Sequence, residues 1–122
     1  MRPPSILFID DNPSLVAAYQ LSLSELGFRV VAASNGNQAL DLCAREAGAC
    51  LAIVDLKMPD MDGPEVIAAL REQQPDLQVI VVSGQSLQPY FTRLSELGVR
   101  VFLQKPFSIE ALVGSIRELQ AA

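Results

Sequence analysis

Five short apolar runs recur along the chain, at residues 6–9, 29–32, 51–54, 79–82 and 101–103, and a helical pattern follows each of them. The runs are continuous in hydrophobicity rather than alternating, as strands are when both faces of a parallel sheet are covered. The segments between them have the other period. Leu15, Tyr19, Leu23 and Leu26 form a stripe that Gly27 ends, with Asn12-Pro13 as cap and first-turn proline. Ala39, Cys43 and Ala47 line a second helix before Gly48, and a third runs from Pro64 through Val66, Ile67 and Leu70 to a stop before Pro75. A fourth begins near Pro89 and carries Tyr90, Leu94 and Leu97 before Gly98; a fifth has Ser108 as N-cap, then Ile109, Leu112, Val113, Ile116 and Leu119.

This alternation predicts an α/β fold in one domain over residues 1–122, built as (βα)5. Right-handed crossovers put helices on both faces of the sheet, and five strands are too few for an eight-stranded barrel. An open doubly wound parallel sheet remains. Its common five-stranded order is 2-1-3-4-5, with ligands bound beyond the carboxyl ends of strands 1 and 3, where the order switches.

That rule gathers scattered polar residues into one place. Asp10 and Asp11 follow the first run, Asp55 the third, Ser83 the fourth and Lys105 the fifth. Two carboxylates ~4 Å apart repel by about 4 kcal/mol at an effective dielectric of ~20, so an offsetting positive charge is needed. Lys105 supplies one. A divalent cation supplies more, and an all-oxygen site suits Mg²⁺, Mn²⁺ or Ca²⁺; few direct ligands and a loop favour Mg²⁺. A carboxylate is also a nucleophile toward phosphorus, and phosphoryl transfer needs alignment and charge neutralisation above all. The chain has no GxxxxGK[ST] loop for binding ATP in the P-loop manner.

Composition narrows the field. The net charge of −5 argues against direct binding to nucleic acid or to anionic membranes. With no histidine, imidazole base chemistry and histidine metal sites are excluded. Cys43 and Cys50 have no metal-ligand spacing and read as small reduced hydrophobes. No apolar run approaches the roughly 18 residues of a membrane span, and the first residues lack a signal-peptide pattern, so a cytoplasmic location is expected.

With these residues in place, the sequence resembles the receiver domains of two-component response regulators. The matching stretches are Phe8-Ile9-Asp10-Asp11-Asn12, Val54-Asp55-Leu56-Lys57-Met58-Pro59-Asp60-Met61-Asp62-Gly63, Val82-Ser83-Gly84 and Phe102-Leu103-Gln104-Lys105-Pro106-Phe107, in the family's order and spacing. The resemblance implies a flavodoxin-like fold, with Asp55 phosphorylated by a histidine kinase or phosphotransfer protein. It implies Mg²⁺ held by Asp11, Asp55 and the backbone carbonyl of Lys57, with Asp10 acting through water. It implies Ser83 and Lys105 as phosphoryl contacts and a cis Lys105-Pro106 peptide. It further implies a switch: Ser83 moves toward the phosphoryl group, Phe102 turns inward, and the helix 4–strand 5–helix 5 face changes its affinity for a downstream protein or attached domain. The module is then not an enzyme with a separate substrate, but a phospho-acceptor that catalyses its own phosphorylation and dephosphorylation. Serine stands here for the commoner threonine and phenylalanine for the commoner tyrosine, while Lys57 and Gln85 flank the access of hydrolytic water.

Asp60 and Asp62 are expected to shape the turn and cap the third helix rather than bind metal, and Gly63 to serve backbone geometry. Tyr90 belongs with the core stripe, and Phe91 is a candidate exposed residue on a docking face. Among other functions, a haloacid-dehalogenase-like phosphatase needs a DxD motif after strand 1, where this chain has Asp10-Asp11-Asn12-Pro13. A flavodoxin-like FMN carrier needs a Ser/Thr/Gly-rich phosphate loop there, and three acids would repel that phosphate. A degenerate receiver that binds partners without phosphorylation would not need the acid–Ser–Lys set. Both a stand-alone regulator and a receiver cut from a larger protein fit the sequence; Leu97-Gly98-Val99-Arg100 and Leu103-Gln104-Lys105-Pro106-Phe107-Ser108 resemble receivers attached to hybrid sensor kinases.

Overall fold

The computed structural model describes residues 5–45 and 49–121. Five strands, β1 (Ser5–Ile9), β2 (Arg29–Ala33), β3 (Ala49–Asp55), β4 (Gln78–Ser83) and β5 (Val101–Gln104), form one sheet in the order β2-β1-β3-β4-β5. Every neighbouring pair is parallel. The helices are α1 (Pro13–Glu25), α2 (Gly36–Arg45), α3 (Gly63–Gln73), α4 (Phe91–Glu96) and α5 (Ile109–Ala121). The expected architecture and strand order are therefore present.

Alternate residues of the central strands feed two separate cores, as the two-residue period of a strand requires. Ile6, Phe8, Ile53, Ile80 and Val82 pack with Val16 and Leu23 of α1 and Leu112 and Ile116 of α5. Leu7, Ile9, Val54, Val79 and Val81 pack with Ala39 and Cys43 of α2, Val66, Ile67 and Leu70 of α3 and Leu94 of α4. This two-sided burial is why the runs read as continuously apolar. Edge strand β2 is only half-buried except at Ala33.

Most expected caps are present. Asn12 Oδ1 accepts from the Leu15 amide at 3.2 Å, with Pro13 opening α1. Asp62 Oδ1 accepts from the Glu65 amide at 2.9 Å and caps α3, and Ser108 Oγ accepts from the Ala111 amide at 3.0 Å. The Lys105-Pro106 peptide is cis. Cys43 is buried and free.

Two expectations need correction. Leu26 does not belong to the α1 stripe: the helix ends at Glu25, the chain turns through Gly27 at φ 92°, and Leu26 is left 52% exposed. Val16 is buried on that face instead. The fourth helix does not start as an α-helix near Pro89. Gln88–Tyr90 form a 3₁₀ turn without a side-chain cap, and only six residues of α-helix follow. The second helix's Ala47 and Gly48 lie outside the described residues.

Candidate functional site

The carboxyl ends of β1 and β3 converge beside that of β4. Asp55 is the last residue of β3 and pairs in register with Val82, one residue before Ser83 ends β4. Asp10 follows β1 directly and is tied to the sheet through its amide, which donates to the Ala33 carbonyl at 3.0 Å. One carboxylate oxygen from each of Asp10, Asp11 and Asp55 lies within 4.8 Å of the others. Asp10 and Asp55 are buried and Asp11 is exposed, so the group opens to solvent on one side.

Lys105 reaches into this cluster. Its Nζ donates to Asp10 Oδ2 at 2.7 Å and lies 3.4 Å from Asp55 Oδ2. Its amide donates to the Ser83 carbonyl at 2.7 Å, which fixes the start of the β5–α5 loop against the end of β4. Asp10 also accepts the Asn12 amide on Oδ1 at 3.0 Å. Asp10 therefore holds the closer ammonium contact and the Asn12 amide, whereas Asp55 has a longer contact with the ammonium and the Lys57 amide.

Burial pushes the Asp55 carboxyl above its ordinary pKa, and the Asp10 charge adds to this; Lys105 and the Lys57 amide oppose it. Burial works against the Lys105 charge, but its hydrogen bond to Asp10 and the charges of Asp55 and Asp10 outweigh it, so the ammonium is held above its ordinary range. With all three acids ionised, one lysine leaves the cluster negative. An all-oxygen donor set with that excess charge fits a hard divalent cation such as Mg²⁺.

Of the other expected residues, Lys57 touches the centre through its amide, which donates to Asp55, and Ser83 through its carbonyl, which accepts the Lys105 amide. Ser83 is buried, and its hydroxyl both donates to the Gln85 carbonyl and accepts the Gln85 amide, each at 3.1 Å. Phe102 lies in β5 opposite Val81, half-buried, with its ring edge-on to Phe91 at 5.4 Å between centroids. Phe91 is 45% exposed, as a docking-face residue would be, while Tyr90 and Leu97 pack on the core around Leu94. Lys57 is exposed in the β3–α3 loop, which closes on itself through a bridge between Lys57 and Asp62. Gly63 allows that closure: a Cβ there would lie 3.0 Å from the Leu56 Cα.

Two supports were not expected from the sequence. Asp60 neither caps α3 nor faces the acid cluster. Its carboxylate accepts the Gly36 and Asn37 amides at 2.8 and 2.9 Å and the Asn37 side-chain amide at 2.8 Å, capping α2. Those backbone donors hold its pKa below the ordinary carboxylate value. Tyr19 stacks between Phe8 and Phe107, and its hydroxyl donates to the Phe107 carbonyl at 2.5 Å, two residues beyond Lys105. Both link residues remote in sequence, so no local pattern announces them.

An open parallel sheet whose switch point carries buried carboxylates and a lysine is suited to holding a divalent cation and a phosphoryl group. Comparison with known proteins makes this specific. The response regulator receiver domain profile matches residues 6–117, and the chain belongs to that family. The transcriptional regulatory protein GlrR of Escherichia coli is 34% identical over 94% of this chain and 26% of its own length. The sensor kinase CckA of Brucella abortus is 29% identical over 94% of this chain and 12% of its own length. The chain thus spans about a quarter or less of these two relatives. Among solved structures, a CheY-like receiver domain protein from Methanospirillum hungatei superposes with a TM-score of 0.90 at 25% identity, over 96% of this chain and 93% of that one. A Burkholderia pseudomallei response regulator, solved with a phosphorylated aspartic acid and a calcium ion, gives 0.84 at 28% identity, over 97% of this chain and 71% of that one. Receiver domains of this family are signalling modules that bind Mg²⁺ at an acidic pocket, are phosphorylated by histidine kinases and regulate attached or downstream domains. Among the described residues no helix is long and apolar enough to cross a membrane.

Proposed function

We propose that residues 1–122 act as a single receiver domain that accepts a phosphoryl group on Asp55 from a histidine kinase or phosphotransfer protein in the cytoplasm. The observation that carries this reading is the unequal partnering of two buried acids. Asp10 is locked by Lys105 and the Asn12 amide, whereas Asp55 keeps only a 3.4 Å ammonium contact and a backbone donor. The longer ammonium contact makes Asp55 the less tightly held of the two buried carboxylates, which supports it as the acceptor.

An Asp55 oxygen attacks phosphorus while the bond from phosphorus to the donor's leaving atom breaks, giving an acyl phosphate and the freed donor. Asp11, Asp55 and the Lys57 carbonyl would hold Mg²⁺, with Asp10 acting through water; the ion supplies neutralising charge for the phosphoryl oxygens. Lys105 is close enough to exchange its weak Asp55 contact for a phosphoryl oxygen, remaining anchored by Asp10. The same site serves dephosphorylation, with Lys57 and Gln85 bordering the approach of water.

The switch follows from Ser83. Its hydroxyl leaves Gln85 for the phosphoryl group, which frees the β4–α4 loop and lets Phe102 abandon its edge contact with Phe91 and turn inward. The new charge biases the α4–β5–α5 face toward one of two arrangements, which changes its affinity for a downstream protein or attached domain. The named relatives are a transcriptional regulatory protein and a sensor kinase, which supports an output in a larger assembly. No direct contact with nucleic acid or membrane is part of this reading.

Incubation with acetyl phosphate and Mg²⁺, followed by intact mass measurement, tests it. The expected result is one phosphoryl adduct, absent without Mg²⁺ and absent in Asp55→Asn. An adduct that persists in Asp55→Asn would move the acceptor elsewhere; absence of any adduct, together with no binding of beryllofluoride, would indicate a receiver that works without phosphorylation.

A further inference from the structure

The β3–α3 loop, residues 56–62, is tied down at its neck and at its tip by different means. At the neck, the Leu56 amide donates to the Val82 carbonyl at 3.0 Å, the Gly63 amide donates back to Leu56 at 2.8 Å, and Lys57 bridges Asp62. At the tip, the hydrogen bonds that the Asp60 carboxylate makes to another element all go to the first turn of α2, among the described residues. There Asp60 takes two of the amides that a helix N-terminus leaves without intrahelical partners. The remaining first-turn positions are satisfied locally: the Gln38 amide donates to Asn35 Oδ1 at 2.8 Å, and the Ala39 amide to the Asn35 carbonyl at 3.1 Å. Met61 seats against the same turn so closely that a Cβ on buried Gly36 would lie 2.7 Å from its sulfur and 3.0 Å from its Cβ. The loop, whose Leu56 is buried and whose Met58 and Met61 pack on the core, is thereby held at its tip by a charged cap and a close packing contact, both directed at a helix that contributes nothing to the acid cluster.

We infer that Asp60 is a positioning residue for the metal and phosphoryl site: by capping α2 it holds the β3–α3 loop so that the Lys57 backbone stays in register with Asp55. This rests on the proposed role of the Lys57 carbonyl as a metal ligand. Loss of the carboxylate frees the loop tip, and the Lys57 carbonyl then has to be ordered at the moment of metal binding. Partners of metal ligands characteristically change affinity by about 10–100-fold when removed. Asp60 is one step further out, so the lower end applies.

The test compares the chain with Asp60→Ala, Asp60→Asn and Gly36→Ala, at a temperature well below every melting transition. Mg²⁺ affinity is measured by titration calorimetry, and amide hydrogen exchange is followed at residues 57, 58 and 60–62. Asp60→Ala should weaken Mg²⁺ binding about tenfold and speed exchange at Lys57 and Asp62. Asp60→Asn, which keeps one acceptor oxygen, should fall between it and the parent chain. Gly36→Ala keeps Asp60 but displaces Met61, and should weaken Mg²⁺ binding in the same direction. Unchanged Mg²⁺ affinity in Asp60→Ala, with only a lower melting temperature, would make Asp60 a fold-stabilising cap and overturn the inference. Unchanged loop exchange would overturn it as well. A parent chain that binds no Mg²⁺ while Asp60→Ala still speeds loop exchange would instead overturn the metal reading and reduce Asp60 to a loop anchor.

Discussion

The carboxyl edge of the sheet has two halves built on opposite principles. On the β1–β3 side, Asp10 and Asp55 are presented by strands whose residues Ile6, Phe8, Ile53 and Val54 are fully buried, and Asp10 accepts the Asn12 amide and the Lys105 ammonium. On the β4–β5 side, buried Ser83 is followed by an exposed loop, an uncapped 3₁₀ turn and a six-residue α4. There exposed Phe91 meets edge-on the half-buried Phe102, which packs at the margin of the core. The first half provides a site that does not have to reorganise when charge arrives. The second has fewer fully buried side chains, an exposed loop and a short helix, features of a segment of low local stability. On the proposed function, chemistry and response would be segregated along one edge, with Ser83 and Lys105 at the seam: the Lys105 amide is bonded to the Ser83 carbonyl while its ammonium lies among the acids.

Stability should report this difference most strongly. Ile53→Ala removes a fully buried side chain from β3 and should cost about 2–5 kcal/mol in urea denaturation. Phe91→Ser, although it deletes an aromatic ring, should cost about 1 kcal/mol or less, because the residue is 45% exposed and loses mainly its edge contact. Equal costs would mean that the α4 side is as tightly built as the acid side.

A smaller effect should appear at the acids themselves. The Asp55 pKa is raised in the folded chain, first by burial and then by Asp10, so the fold prefers its protonated form. That preference is fully present at low pH and is lost as pH rises through the folded-state pKa. In the absence of divalent cation, Asp55→Asn should therefore be more stable than the parent near neutral pH. The gain should stay below about 1 kcal/mol, since the Lys105 charge and solvent on the open side offset much of the repulsion. The difference should shrink as pH falls below the carboxylate range; a constant difference across pH would show that Asp55 carries no such repulsion.

The two halves are not equally legible in the sequence. Parallel strands covered on both faces produce continuous apolar runs, and a polar residue ending such a run marks the functional edge, so the amino-acid sequence alone places Asp10, Asp55 and Ser83. Cap signals at Asn12, Asp62 and Ser108 are local and are legible for the same reason. The α4 region is less so. Its helical periodicity is real, but periodicity does not report where a proline-containing, uncapped first turn tightens to 3₁₀, or that Leu26 lies just past the end of its helix. Asp60 departs from its expected role because two acids in one turn look equivalent, and only the approach of α2, more than twenty residues earlier, separates their roles. The Tyr19–Phe107 bond spans 88 residues and has no sequence signal at all.

The division of labour along the sheet edge is tested most directly by backbone amide NMR spectra recorded with Mg²⁺ before and after addition of beryllofluoride as the phosphoryl mimic. Large shifts should fall at Ser83, the following loop, α4 and Phe102, while β1 and the buried residues of β3 short of Asp55 stay near their starting positions. Shifts spread equally through β1 and β3, or confined to the neighbours of Asp55 with α4 and Phe102 unmoved, would contradict it.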